Sequence, residues 1–181
     1  MYIEPMKMQL RDGRRVILRS PEPEDAAGDL ACMRQTAGET EYLLISPEEV
    51  GDYAPRHAAA LADVRDDPYQ LLLLCEAQGT IVARLHGYVK PRTKVQHRFR
   101  LGLAVRRECW GQRLATAMLH VAERVAREMA CTQIELEVMA HNSRAVRLYE
   151  REGYRIAMVH PGALRFSDGR MADEYLMIKR L

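Results

Sequence analysis

The chain has 181 residues, 48% hydrophobic and 29% charged, with a formal net charge of +2. This length suits one domain with its own core, spanning 1–181; the composition excludes a disordered chain, and the balanced charge excludes a global pull toward nucleic acid or anionic membrane. No run of about 18 apolar residues is present, so no membrane span is expected, and Met1 to Asp12 carries Glu4, Lys7, Arg11 and Asp12 with no apolar centre, which does not read as a signal peptide.

Arg15 to Arg19 reads as a short buried strand. Ser20-Pro21-Glu22-Pro23-Glu24-Asp25 places acids and prolines ahead of an apolar pattern, a helix-start signal. Ala26, Leu30, Met33 and Ala37 form one helical stripe, and Gly38 is expected to end it. Glu39 to Ser46 is a connection. Ser46, Pro47 and Glu49 then have the spacing of a capping box, predicting a helix from there to about Val64 with Pro55 as a break or kink, closed by Asp66-Asp67-Pro68.

The period then changes. Tyr69 to Glu76 is a continuous apolar run, Gln78-Gly79 a tight turn, and Ile81 to Val89 the next strand. After the turn at 91–94, Phe99, Leu101, Leu103 and Val105 alternate with Arg98, Arg100, Gly102 and Ala104, completing an antiparallel meander. Leu114, Met118, Val121, Ala122, Val125 and Met129 mark a helix over Gln112 to Met129. Ile134, Leu136 and Val138 mark a strand. Asn142 caps a short helix stopped by Gly153, and strands follow at Tyr154 to His160 and, past the Asp168-Gly169 turn, at Glu174 to Ile178. The order β-α-α-β-β-β-α-β-α-β-β predicts an α+β domain on one central sheet.

The chemistry-bearing segments lie in the second half. The strand ending at Val105, the turn through Gly111 and the following helix start present free backbone N–H groups and a helix dipole, a site for phosphate or pyrophosphate; an ordinary strand-to-helix turn gives the same pattern. Cys32, Cys75, Cys109 and Cys131 form no CxxC pair, so neither a zinc cluster nor a redox dithiol is expected. There is no Walker loop, no GxGxxG and no HExxH spacing.

Val138, Asn142, Ala145, Leu148, Tyr149, Gly153 and Tyr154 follow the strand–Asn–Ala–Leu-Tyr–Gly-aromatic order of the GCN5-related N-acetyltransferase (GNAT) signature. Trp110-Gly111-Gln112-Arg113-Leu114-Ala115-Thr116 resembles the pyrophosphate loop of the same superfamily, with Arg113 standing where a glycine is usual. The resemblance covers roughly Gln70 to Leu181; the two N-terminal helices match only in position and length. The tail Asp168 to Met177 resembles branches that acetylate small amines, amino acids or protein N-termini.

The resemblance implies a mixed, mostly antiparallel sheet, flanked by helices, whose strands at 98–105 and 133–139 splay apart. It implies acetyl-CoA as acyl donor, with the pantetheine arm along Leu103, Ala104 and Val105. The pyrophosphate would lie over Gly111, Gln112, Arg113, Leu114, Ala115 and Thr116. Arg113 would clash with it, point outward or help neutralise it. Asn142, with Ala145, would cap the short helix and touch the cofactor arm. Tyr149 would protonate the leaving thiolate, a phenol near pKa ≈ 10 being protonated at neutral pH; it equally fits as a core residue. Direct attack by a primary amine is expected, and a covalent Cys109 or Cys131 route is weaker because no partner base is evident. Candidates for the base are Glu135, Glu137, His86 and His97, while Glu39, Glu41 and Tyr42 would border the acceptor pocket as an acidic lip. Arg106, Arg107, Arg124 and Arg127 would add positive charge near the cofactor helix. No metal is expected, nor any nucleic-acid or membrane partner; a reducing cytoplasm is the expected location, since neither a signal peptide nor a membrane span is read, and a homodimer is a family-level expectation. The alternative is a non-catalytic acyl-CoA sensor or interaction module on the same fold.

Overall fold

The computed structural model describes residues 1–181. Its elements are β1 (Met6–Gln9), β2 (Arg15–Arg19), α1 (Ala26–Glu39), α2 (Ala54–Asp66), β3 (Gln70–Ala77), β4 (Thr80–Val89), β5 (Arg98–Val105), α3 (Leu114–Glu128), β6 (Gln133–Met139), α4 (Ser143–Arg151), β7 (Arg155–Arg165) and β8 (Met171–Arg180). The eight strands form one sheet in the order β1-β2-β3-β4-β5-β6-β8-β7. Every neighbouring pair is antiparallel except β5 and β6, which run parallel.

Strand alternation sorts the core into two layers. Leu71, Leu73, Leu85, Phe99, Leu101, Ile134 and Leu136 share one large cluster with Leu114, Met118, Ala122 and Val125 of α3 and with Tyr149 of α4. Leu72 and Leu74 point the other way, into a smaller cluster with Ala26 and Cys32 of α1 and Leu61 of α2. Helices therefore cover both faces, and the leucine run of β3 is apolar throughout because both of its sides are buried. Phe99 lies fully buried over Gly87, where an added Cβ would sit 2.2 Å from its ring. No helix is long and apolar enough to cross a membrane.

Four expectations need correction. β1 was not expected; its Met6–Gln9 segment pairs with β2 as a half-buried edge. Gly38 does not end α1, which runs through Glu39. Glu49 does accept the Ser46 N–H at 2.7 Å, but it closes only a 3-10 turn at Pro47–Glu49. The helix itself starts at Ala54, with Pro55 in its first turn, where a missing N–H costs nothing. Finally, α3 begins at Leu114, two residues later than the periodicity indicates, because Arg113 is left-handed.

Candidate functional site

The sheet opens at its parallel pair. β5 and β6 are in register only over Arg98–Arg100 and Gln133–Glu135. Beyond that, β5 stays on β4 as far as Val105 and β6 stays on β8 as far as Met139, so the two strands diverge. A cleft of about 1210 Å³ fills the wedge, and its walls include Leu136, Val138, Leu148 and Tyr149 from one face and Arg84, His86, Glu137 and Glu174 from the other. It thus passes through the sheet. Leu103, Ala104 and Val105 line it, although the Val105 carbonyl already accepts the Trp110 indole N–H at 2.7 Å.

At one end of the cleft lies the turn into α3. The backbone N–H groups of residues 111–116 have no acceptor within the protein, and the first helical bond in this turn is Ala117 N–H to Arg113 C=O at 3.0 Å. Backbone donors require partners, and six in succession at a helix N-terminus form an anion cradle. Gly111 (φ 77) and Arg113 (φ 63) both hold the left-handed conformation that bends the chain around it. A glycine at 113 would take that angle without strain; arginine takes it at a cost of about 1–2 kcal/mol. Arg113, Arg144 and Arg151 are among the residues that line the cleft. Arg144 also stacks on Trp110 at 4.5 Å from the ring centroid. The residues present therefore fit a pyrophosphate-bearing ligand.

Gly111, Leu114, Ala115 and Thr116 line the cleft, but the Gln112 side chain does not: its Oε1 accepts the Asp12 N–H at 3.0 Å. The Thr116 hydroxyl is likewise engaged, donating to Glu152 at 3.0 Å. Arg124 and Arg127 pair with Glu128 and Glu123 and do not reach the cleft, and Arg106 is buried with its Nε unpartnered. Arg107 turns to Glu39, whose carboxylate accepts the Arg107 N–H at 2.6 Å.

Asn142 and Ala145 line the cleft beside α4, where Asn142 Oδ1 accepts the Ala145 N–H at 3.2 Å. One turn on, Tyr149 is 7% exposed and packs edge-on to Tyr154 at 5.7 Å. Its hydroxyl makes no hydrogen bond to the protein, and the residue borders the cleft. Burial pushes its phenol up to about 12, so at neutral pH it holds its proton. All four cysteines are buried free thiols whose pKa burial raises, which removes any activated sulfur nucleophile.

On the α1 side the floor is polar. Cross-strand register sets Tyr88, Arg100 and Glu135 in one row, with His86 opposite Gly102 and Arg84 opposite Ala104 beyond it, while Glu137 follows Glu135 on the same face of β6 across the opening. Glu135 is 1% exposed. Burial pushes its carboxyl up, but hydrogen bonds from Arg98 (2.6 Å) and Gln133 outweigh that and hold it below the ordinary carboxylate range. It is a structural anion. His86 is lowered by burial and by Arg84, and its Nε2 contacts Gln70 at 2.9 Å. His97 does not reach the cleft. Glu137 faces it, paired with Arg100 at 3.0 Å.

Glu174, which sequence reasoning missed, lies beside Glu137. β6–β8 register places it opposite Met139, on the face that carries Glu137. Its carboxylate has no ion pair, and burial with the neighbouring Glu137 charge raises its pKa. The only signal in the sequence is an acid inside an apolar strand. Of the expected acidic lip, Tyr42 lines the cleft while Glu39 and Glu41 do not, and both carboxylates are engaged, Glu39 by the Arg107 N–H and Glu41 by His141 and Arg170. No group of three or more potential metal ligands occurs.

The family model of the acetyltransferase (GNAT) family matches residues 36–154. An uncharacterized N-acetyltransferase of Methanocaldococcus jannaschii is 35% identical over 107 residues, 59% of this chain and 66% of that protein, so the chain matches just under two thirds of that relative's length. A GNAT-family acetyltransferase from Streptococcus pneumoniae superposes with a TM-score of 0.86 at 23% identity, covering 92% of this chain and 99% of the other. A Salmonella typhimurium structure described as an acetyltransferase with its cofactor acetyl-CoA gives a TM-score of 0.78 at 16% identity, covering 92% and 94%.

Proposed function

Because the chain belongs to the acetyltransferase (GNAT) family, we propose that it transfers an acetyl group from acetyl-CoA to a primary amine by direct attack, with no acyl-enzyme. The observation that carries this reading is the run of six unpaired N–H groups at 111–116 opening onto the same cleft as the Tyr149 hydroxyl. The donor supplies the acetyl thioester. The 111–116 cradle, with Arg113 and Arg144, holds its pyrophosphate, and the edge of β5 at Leu103 and Ala104 receives its arm. The amine arrives from the α1 side, where Glu137 and Glu174 attract it as an ammonium. Glu174, its pKa raised and its carboxylate unpaired, takes the proton that must leave before attack. Attack leaves one further proton on the new amide nitrogen; as the C–S bond breaks, Tyr149 donates its proton to the departing thiolate, and the nitrogen's proton restores the phenol through solvent.

The test is a thermal-shift titration with acetyl-CoA, CoA and a nucleotide lacking the pantetheine arm. Ligand at a hundredfold over its dissociation constant stabilises by about 2.7 kcal/mol. A rise in Tm with both CoA species, but not with the control, supports the reading. No rise at millimolar acetyl-CoA would overturn it.

A further inference from the structure

Arg84 projects from β4 toward α1. Its Nε donates to Asp29 Oδ1 at 3.0 Å, and Asp29 is fully buried on α1. The second oxygen of Asp29 contacts His57 Nε2 at 2.9 Å. The carboxylate is therefore fixed from two sides, and it fixes the arginine in turn. The two terminal nitrogens of Arg84 make no hydrogen bond to the protein, and the residue lines the cleft with its side chain 22% exposed. Arg100, the other guanidinium on this floor, is already engaged by Glu135 and Glu137. Between Arg84 and the two acids the floor is low: Gly102 has no side chain and Ala104 has one methyl.

A guanidinium held by its Nε, with both Nη groups open, is preorganised for a carboxylate. Arg84 supplies that at one side of the acceptor chamber, and Glu137 with Glu174 supplies an ammonium site at the other. We infer that the acceptor carries a carboxylate as well as its amine, and that Arg84, positioned by Asp29, binds that carboxylate. The class is an amino acid, free or as the acidic first residue of a peptide. The inference rests on the acetyltransferase reading above and names the acceptor class for that site.

The experiment compares amine-dependent CoA release for three acceptors that share one uncharged side chain, the free amino acid, its carboxamide and its decarboxylated amine, and for a dipeptide beginning with aspartate. The wild-type enzyme is expected to prefer a carboxylate-bearing acceptor over the decarboxylated amine by roughly tenfold or more in kcat/KM. Preference for the free acid over its carboxamide assigns the carboxylate to a free amino acid; activity on the dipeptide alone assigns it to a peptide side chain. Arg84→Lys keeps a charge against Asp29 and removes the paired donors, and it is expected to collapse that preference chiefly through KM for the carboxylate acceptor. Equal use of the decarboxylated amine and the amino acid by the wild-type enzyme overturns the inference alone and needs no variant to fold. An Arg84→Lys enzyme that keeps its Tm and the full preference also overturns it. No amine-dependent release with any acceptor, despite CoA binding, overturns the transfer reading itself.

Discussion

Glu41 Oε1 stands 3.3 Å from His141 Nε2, while its other oxygen accepts from Arg170 at 3.1 Å. Tyr42 packs edge-on to the same imidazole at 5.3 Å, and Arg170 stacks over Phe166 at 4.6 Å. The α1–α2 connection, whose residues 42–45 line the cleft, is thereby clasped to the β6–α4 loop and the β7–β8 hairpin. Exposed ion pairs contribute little each, so Glu41→Gln is expected to raise the acceptor KM by only about three- to fivefold. Michaelis kinetics at low and high salt checks this, since the wild-type advantage should shrink as salt screens the clasp.

Glu174 gives the pH dependence. Its raised pKa places the ascending limb of kcat/KM above the ordinary carboxylate value of 4.5. Glu174→Gln should remove that limb and lower kcat/KM by about a hundredfold or more. The linkage has the opposite sign for stability. A carboxyl whose folded pKa exceeds its unfolded one favours folding while protonated and loses that contribution as pH rises through the folded value. Tm of Glu174→Gln should therefore exceed wild type at pH 8, by differential scanning fluorimetry.

Much of this was legible in the sequence, and what was not has a physical reason. A continuous apolar run and the Gln78-Gly79 turn located β3 and β4, periods of two and of 3.6 located β5, β6, α3 and α4, and Asn142 announced its cap. Pro55 misled because proline marks both a kink and a first turn, and only the non-helical backbone of Val50 and Tyr53 decides between them. Arg84 was hidden in an apolar strand, since its partner Asp29 lies 55 residues away. Glu174 needed the β6–β8 register to bring it to Glu137. Glu135 and Glu137 share a face as alternation requires, yet one is buried in an ion pair and the other is open, a difference set by Arg98 and Gln133.

Gly87 tests the core beneath the cleft. Alanine there would place its Cβ 2.2 Å from Phe99 Cζ, in a ring that is fully buried. Displacing that ring should destabilise the fold by about 1–3 kcal/mol, read by urea unfolding.

Arg113 tests the cradle. Glycine at this φ of 63° relieves left-handed strain but loosens the unfolded chain, so Arg113→Gly should stay within about 1 kcal/mol of wild-type stability. Its acetyl-CoA affinity should fall modestly, because a charge leaves the cradle while the six N–H groups remain. Arg113→Val should cost about 1–3 kcal/mol, a β-branched residue being poorly tolerated there. Chemical denaturation with calorimetric acetyl-CoA titration checks both.

Tyr149 is placed to work on a thioester held in this cleft. The most direct test measures amine-dependent thiol release and acetyl-CoA affinity together, in the wild-type enzyme and in Tyr149→Phe. Phenylalanine keeps the ring against Tyr154 and removes only a hydroxyl that has no partner in the protein. The expected result is release by the wild-type enzyme, a fall in kcat of about a hundredfold or more in the variant, and an unchanged dissociation constant. Wild-type turnover that survives the substitution intact would contradict the role of Tyr149, and tight CoA binding with no release by either protein would leave a CoA-binding module in place of an enzyme.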